Sequence, residues 1–501
     1  AQPMRLTAVK LARLGLRTQE WARGALRRLS SFRGANDADA TQFEQMLGAG
    51  GVISIPDEVK HYNEDWMGKY RGSSKVVLRP KTLEQVRDIV LYCNQNRIGL
   101  VPQGGNTGLV GGSVPVRDEV ILSLEKMDQI TAFDELGGVV TTQAGVVLEK
   151  LDNYVGEYEF RVPLDLGAKG SCQIGGNLAT HAGGSRFVRY GSIRSAVLGM
   201  QVVLGDGTVL DSLKTLRKDN TGYDLKSIFV GSEGTLGIIT AVSLACVRRS
   251  ASVRVAVLAC NSFEEVQKVL MLARERLGEQ LSALEMMDGA AVQLALAHLS
   301  HVRDPCPDSK HDFYILVEAA GSNDDHVSAQ MDSLVESAFE SGLCQNGVFA
   351  QDESQAASLW MLRESLPEAV AKAGKATFKY DVSLPMQHFY DLVEATRERL
   401  KSSDGVHVVG WGHIGDGNLH LNISAGEYDG PVRSLMEPWV YEWVSERNGS
   451  ISAEHGVGVM KSRMLHHARS PAEIALMRRL KAVFDPNGIL NPGKVLPPLD
   501  S

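Results

Sequence analysis

Apolar positions along the chain change period several times. Val76, Val77 and Leu78 form a short apolar run that Pro80 ends; Thr82 then opens a segment in which Val86, Ile89 and Val90 recur at helical spacing. The pattern predicts a strand followed by a helix capped at Thr82. Short apolar strands with Gly-rich turns continue to about Val247. Beyond a boundary placed near residue 249, strands at 254–258 and 313–317 alternate with amphipathic helices around 263–277 and 326–341. From about residue 460 the chain reads as helical, then closes in Pro486-Asn487-Gly488-Ile489-Leu490-Asn491-Pro492-Gly493-Lys494. No internal repeat is visible, and no stretch reaches the ~18 apolar residues of a membrane span.

Composition narrows the class. The 501 residues are 44% hydrophobic and 22% charged, ordinary for a globular protein and incompatible with collagen, coiled coil or wholesale disorder. A net charge of −8 argues against a nucleic-acid binder, which needs a basic face. That charge is uneven. Residues 1–36 hold Lys10 and seven arginines against the single acid Glu20, a charge of +7, with Leu6, Val9, Leu14 and Trp21 interspersed before Ser30-Ser31. This is the composition of an organellar transit peptide; the remainder, with 44 basic and 59 acidic residues, carries −15. The terminal Leu499-Asp500-Ser501 is not the peroxisomal Ser-Lys-Leu signal. A mitochondrial matrix protein is expected, with the chloroplast as the other destination. The six cysteines, Cys93, Cys172, Cys246, Cys260, Cys306 and Cys344, include no C-x-x-C pair, so reduced thiols are expected rather than a disulfide framework or a thiolate zinc cage.

Glycine makes up 50 of the residues and is clustered. Residues 102–112 read PQGGNTGLVGG; 167–191 contain Gly167, Gly170, Gly175, Gly176, Gly183, Gly184 and Gly191 around Ser171, Asn177 and Thr180; 231–239 read GSEGTLGII. Glycine lets backbone N–H groups converge on an anion, so such loops can cradle a pyrophosphate. No Gly-Lys-Ser/Thr follows the first cluster, so it is not a P-loop. The literal G-x-G-x-x-G at 410–415 opens no helix and is not a dinucleotide turn. Each cluster alone is more often a set of tight turns; three in one domain, each bounded by strands, favour a ligand.

Residues 408–422 read VVGWGHIGDGNLHLN. Asp416-Gly417 between apolar runs predicts a two-residue hairpin of type I′. That register sets His413 directly opposite His420, with Asn422 on the same face. Alone, such a pair is as often structural as metal-binding. Residues 452–458, SAEHGVG, add the adjacent acid and base Glu454 and His455. Two histidines and a carboxylate leave a coordination position open, as catalytic zinc sites do.

These motifs together carry a resemblance. PQGGNTGL, PLDLGAKGSCQIGGNLATHAGG with the following RYG, and GSEGTLGIIT resemble the flavin domain of the vanillyl-alcohol oxidase and p-cresol methylhydroxylase superfamily, over about residues 69–248. The histidine motifs resemble those of its FAD-linked 2-hydroxy-acid dehydrogenases. The resemblance implies an α+β fold: a two-subdomain FAD-binding domain at 69–248 after a helical lead-in at 37–68, an antiparallel-sheet-plus-helices substrate and metal domain at 249–456, and a small C-terminal segment at 457–501 returning to the FAD domain. It places FAD against Pro102, Gly104, Gly105, Asn106, Thr107, Gly108, Leu109, Gly170, Ser171, Ile174, Gly175, Gly176, Asn177, Ala179, Thr180, Gly183, Gly184, Tyr190, Gly191, Glu233, Gly234, Gly237, Ile238, Ile239 and Asn491. The first loop has no histidine to tether the flavin, so noncovalent FAD is implied. His413, His420 and Glu454 are implied ligands of zinc or another divalent metal. Asn422 and His455 are implied to face the substrate, with Arg363 and Lys379 binding its carboxylates. Pro367 departs from the pattern, standing where animal members carry a threonine, so one distal-carboxylate contact is missing or replaced.

The implied reaction is oxidation of D-2-hydroxyglutarate to 2-oxoglutarate. The metal assists deprotonation of the 2-hydroxyl, His455 is the general base, and C2 gives hydride to FAD N5. On charge, a dicarboxylate occupies both Arg363 and Lys379, whereas lactate leaves one buried cation alone. Electron-transfer flavoprotein is the implied acceptor, and a homodimer is one arrangement of the chain. The alternatives are an FAD-dependent D-lactate dehydrogenase, a non-catalytic electron-shuttling flavoprotein and a zinc hydrolase. The last needs no glycine clusters, and electron shuttling needs neither Glu454-His455 nor the cationic pair.

Overall fold

The computed structural model describes residues 32–428 and 430–498. The basic stretch 1–31, on which the transit-peptide reading rests, lies outside them. Residues 32–36 belong to the folded body: Arg33 forms a parallel bridge with Ile98 and its guanidinium bonds Asp39. Asp39 also accepts the Asn36 N–H and the Tyr92 hydroxyl.

The glycine-rich domain holds a four-stranded sheet, in the order Val52–Ile53, Val77–Leu78, Val120–Ser123, Leu100–Gln103, and a five-stranded antiparallel sheet centred on Ile238–Ala245. One continuous core joins them. The Leu83–Asn96 helix forms where its spacing predicts: Thr82 accepts the Gln85 N–H at 3.3 Å, and Val86, Ile89 and Val90 are buried.

The second domain is a seven-stranded antiparallel sheet in the order Asn346–Phe349, Ser252–Cys260, Phe313–Gly321, Leu281–Asp288, His407–His413, Asn418–Ala425, Ala376–Ser383. Helices Phe263–Leu277 and Asp324–Glu340 cover one face with the larger core. Helices Gly289–His298 and Glu353–Ala373 pack on the other over Val257, Met287, Leu316, Val409 and Trp411. Strand alternation puts Glu285, His413, His420, Asn422, Lys379 and Asp381 on that second face.

The 408–422 hairpin forms, but with a different turn. Its loop has four residues, 414–417, because Ile414 is fully buried and the His413 carbonyl accepts N–H bonds from both Asp416 and Gly417. Only Gly417 of the two takes a positive φ, +82°, so the turn is not type I′. His413 therefore opposes Asn418, and His420 opposes Trp411. The two histidines are diagonal neighbours on one face rather than a direct pair.

The domains meet through specific contacts. Arg186 reaches Ser282 and Glu318, and Arg189 donates to the carbonyls of Gln280 and Ala320. After the second domain the chain returns to the first: Leu490 bridges Leu100 in parallel, and Ile489 and Leu490 are fully buried in the glycine-rich core. The fully buried Asp485 accepts both of their N–H groups.

Candidate active site

A cavity of about 1570 Å³ lies between the domains. Its first wall is made of the three glycine clusters: residues 102–109, Ser171, 175–177, Ala179, Thr180, Gly183, Gly184, Glu233, Gly234 and 237–239 all line it. Close approach explains Gly105, where a Cβ would stand 2.0 Å from the Ser171 carbonyl oxygen. At Gly108 and Gly176 a Cβ would meet no protein atom, so backbone there faces open cavity. Gln173 Oε1 and Asn177 Oδ1 line the cavity, are buried and lack hydrogen-bond partners among the described residues, as expected of groups that await a polar ligand. A glycine-lined trough with orphaned polar atoms fits FAD.

Five residues of the implied flavin set do not line the cavity: Gly170, Ile174, Tyr190, Gly191 and Asn491. Ile174 packs in the core, its N–H bonded to Val146. Gly191, at φ +69°, ends the Phe187–Tyr190 turn. Gly170 lies beside Glu149. Asn491 braces the wall from behind, donating to the Gly112 and Glu233 carbonyls. The Glu233 carboxylate itself accepts the Val457 and Gly458 N–H groups, so it holds the 454–458 turn.

The second wall is the sheet face. The donor atoms of His413, His420 and Glu454 lie within 4.8 Å of one another, a span that an ion with ~2.0–2.2 Å ligand bonds can close. The His413 and His420 ring centres are 5.2 Å apart, and the His420 and His455 rings stack at 5.8 Å. Glu454 belongs to neither domain alone: it accepts the Gly184 N–H at 2.7 Å while standing 3.6 Å from His413 Nε2. Two histidines, a carboxylate and no competing thiolate fit a divalent metal with an open position.

Two buried carboxylates absent from the sequence-based set support this wall. Glu285 accepts from His413 Nδ1 at 2.7 Å and from Arg363 at 2.8–2.9 Å. Asp381 accepts the backbone N–H groups of Glu454 and His455 and the Asn418 amide. It also lies 3.7 Å from His420 Nδ1 and 3.8 Å from His455 Nδ1. One sequence signal was available: Lys379 and Asp381 alternate with Phe378, Tyr380 and Val382 in one strand. Burial opposes ionisation of Asp381, but His455, Lys461 and His420 outweigh it and hold the carboxyl low. Burial also opposes charge on His413, yet Glu285 and Glu454 raise it to about 9. At His455 burial wins over the pull of Asp381 and lowers the pKa, which favours the neutral imidazole.

Arg363, Lys379, Asn422 and His455 all line the same cavity. Contrary to the expectation from sequence, Glu285 already neutralises Arg363, so a monocarboxylate would not leave that cation alone. Of the lysines and arginines lining the cavity, Lys379 is the one without a carboxylate partner among the described residues; it stands 5.1 Å over the Trp66 ring, and burial lowers its pKa. Pro367 lies within the Glu353–Ala373 helix, one turn after Arg363, and also lines the cavity. No helix among the described residues is long and apolar enough to cross a membrane.

Comparison with known proteins adds the following. Family models described as an FAD binding domain and as the C-terminal domain of FAD linked oxidases match residues 74–212 and 249–495. The chain is 51% identical over 462 residues to a rice (Oryza sativa subsp. indica) protein named probable D-2-hydroxyglutarate dehydrogenase, mitochondrial, covering 92% of this chain and 82% of that one. It is 48% identical to a Schizosaccharomyces pombe protein named putative D-lactate dehydrogenase, mitochondrial, covering 94% and 92%. A crystal structure of p-cresol methylhydroxylase with substrate bound superposes with a TM-score of 0.76 at 18% identity, covering 94% of this chain and 99% of that one. That likeness shows the fold.

Proposed function

Since the chain belongs to the FAD-linked oxidases, in the group of the D-2-hydroxyglutarate dehydrogenases, we propose that it oxidises D-2-hydroxyglutarate to 2-oxoglutarate. The observation that carries this reading is a single cavity lined by the glycine cradle, by His413, His420, Glu454 and His455, and by the unpaired Lys379. When bound, FAD is the hydride acceptor and a divalent metal at His413, His420 and Glu454 lowers the pKa of a hydroxyl beside it. His455 is the general base: its neutral imidazole takes the hydroxyl proton at Nε2, while Nδ1 faces Asp381. Asn422 faces the substrate, its Nδ2 held by the His420 carbonyl and its Oδ1 buried without a partner among the described residues. Lys379 receives the distal carboxylate as a point charge, and Arg363 offers the edge of its fork that Glu285 leaves free.

By resemblance to the FAD-linked 2-hydroxy-acid dehydrogenases, the electrons then leave to electron-transfer flavoprotein. The names of the relatives and the basic stretch at 1–36 support a mitochondrial location. The test is anaerobic: purified protein should be yellow and should bleach with D-2-hydroxyglutarate. If D-lactate bleaches it far faster, the D-lactate reading, favoured by the fission-yeast relative and by the neutralised Arg363, replaces this one.

A further inference from the structure

Glu285 sits in the Leu281–Asp288 strand, directly opposite His413 in the adjacent strand, and is fully buried. An ionised carboxylate there costs several kcal/mol in desolvation, so its two partners must account for its presence. One oxygen accepts from His413 Nδ1 at 2.7 Å. The other accepts from Arg363 Nε at 2.9 Å and lies 2.8 Å from its Nη2 as an ion pair. We propose that Glu285 is a positioning residue that locks His413 and Arg363 to each other, fixing the distance between the metal end and the carboxylate end of the substrate site. This rests on the metal and substrate reading given above.

Each arm has a distinct consequence. On the histidine arm, a proton kept on Nδ1 leaves the Nε2 lone pair directed toward the Glu454 and His420 side, and such outer partners orient metal-bound imidazoles. On the arginine arm, Nε is committed to the Glu285 oxygen and Nη2 is held in ion-pair contact with the same oxygen, which sets the plane of the fork and its free edge. Because the same carboxylate makes both bonds, neither group can shift without the other. A substrate is thereby measured from its hydroxyl end to a carboxylate at fixed reach. Glutamine has the shape of Glu285 but not its capacity: its amide oxygen can accept from one partner only, and its NH₂ then points at another donor.

The experiment uses the FAD-loaded full chain and zinc as the probe. Glu285→Gln should keep the flavin absorbance of the wild type, lower the unfolding midpoint because Arg363 is left buried without a counter-charge, lose ~10–100-fold in zinc affinity by calorimetric titration, and raise KM for D-2-hydroxyglutarate more than it lowers kcat at saturating zinc. Zinc affinity and KM both within twofold of wild type would overturn the proposal. If Glu285→Gln does not fold, Glu285→Asp keeps the charge but falls one methylene short of spanning both partners; wild-type zinc affinity and KM in that variant would also overturn it. A wild-type protein that binds no zinc overturns the metal reading and, with it, the histidine arm. Wild-type zinc binding in both proteins together with equal KM overturns only the role of Glu285.

Discussion

The two walls of the cavity hold their ligands by opposite means. The glycine wall is backbone: residues such as Gly105 and Gly176 contribute by lacking a side chain, either to let loops touch or to expose main chain to the cavity. The sheet wall is side chain, and its metal end leans on buried carboxylates, His413 on Glu285 and the Glu454-His455 turn on Asp381. The first kind of site is intolerant of added atoms and indifferent to charge. The second depends on both the charge and the reach of each partner.

The largest expected effect breaks the first wall. Gly105→Ala should give a colourless protein without turnover, since the new Cβ meets backbone rather than a movable side chain; a yellow, active variant would show the loops to be looser than drawn. His413→Ala should abolish metal uptake and lower kcat by at least ~10²-fold while flavin absorbance stays, which metal analysis and spectroscopy read independently. Lys379→Met should raise KM for D-2-hydroxyglutarate ~10–100-fold, the loss expected for a charged hydrogen bond. Parameters for D-lactate should move much less, and equal effects on both acids would remove Lys379 from distal-carboxylate binding.

The smallest effect should leave both walls intact. Asp39→Asn, distant from the cavity, should cost about 1 kcal/mol of stability, because Arg33 is partly exposed and screened. The Arg33 guanidinium, with help from Asn36 and Tyr92 and against burial, holds the folded Asp39 carboxyl down to about 2 from an ordinary 3.8. A depressed pKa contributes fully above the ordinary value and is lost as pH falls toward the folded one. The gap between wild type and variant in denaturant titrations should therefore be complete at pH 6 and shrink between pH 3.8 and 2.

The same contrast explains what the sequence disclosed. Backbone cradles are built from neighbours in the chain, so PQGGNTGL and GSEGTLGII are legible as strings. The shared face of His413, His420 and Asn422 is likewise legible, because alternation survives any turn that preserves parity. The register was not legible: burial of Ile414 lengthens the loop by two residues, which Asp416-Gly417 cannot signal. Nor was Glu285, whose partners lie 128 and 78 residues away in sequence. Its presence changes the charge argument for the substrate from two free cations to one.

The return of Ile489 and Leu490 into the glycine-rich core has a consequence for biosynthesis. A chain that enters its compartment N-terminus first brings in the strand at Leu100–Gln103 well before its neighbour Leu490. The intervening sheet domain can form in that interval, being continuous in sequence. Flavin should therefore load late, and chains truncated before residue 485 should stay colourless in the presence of FAD, whereas the full chain takes it up.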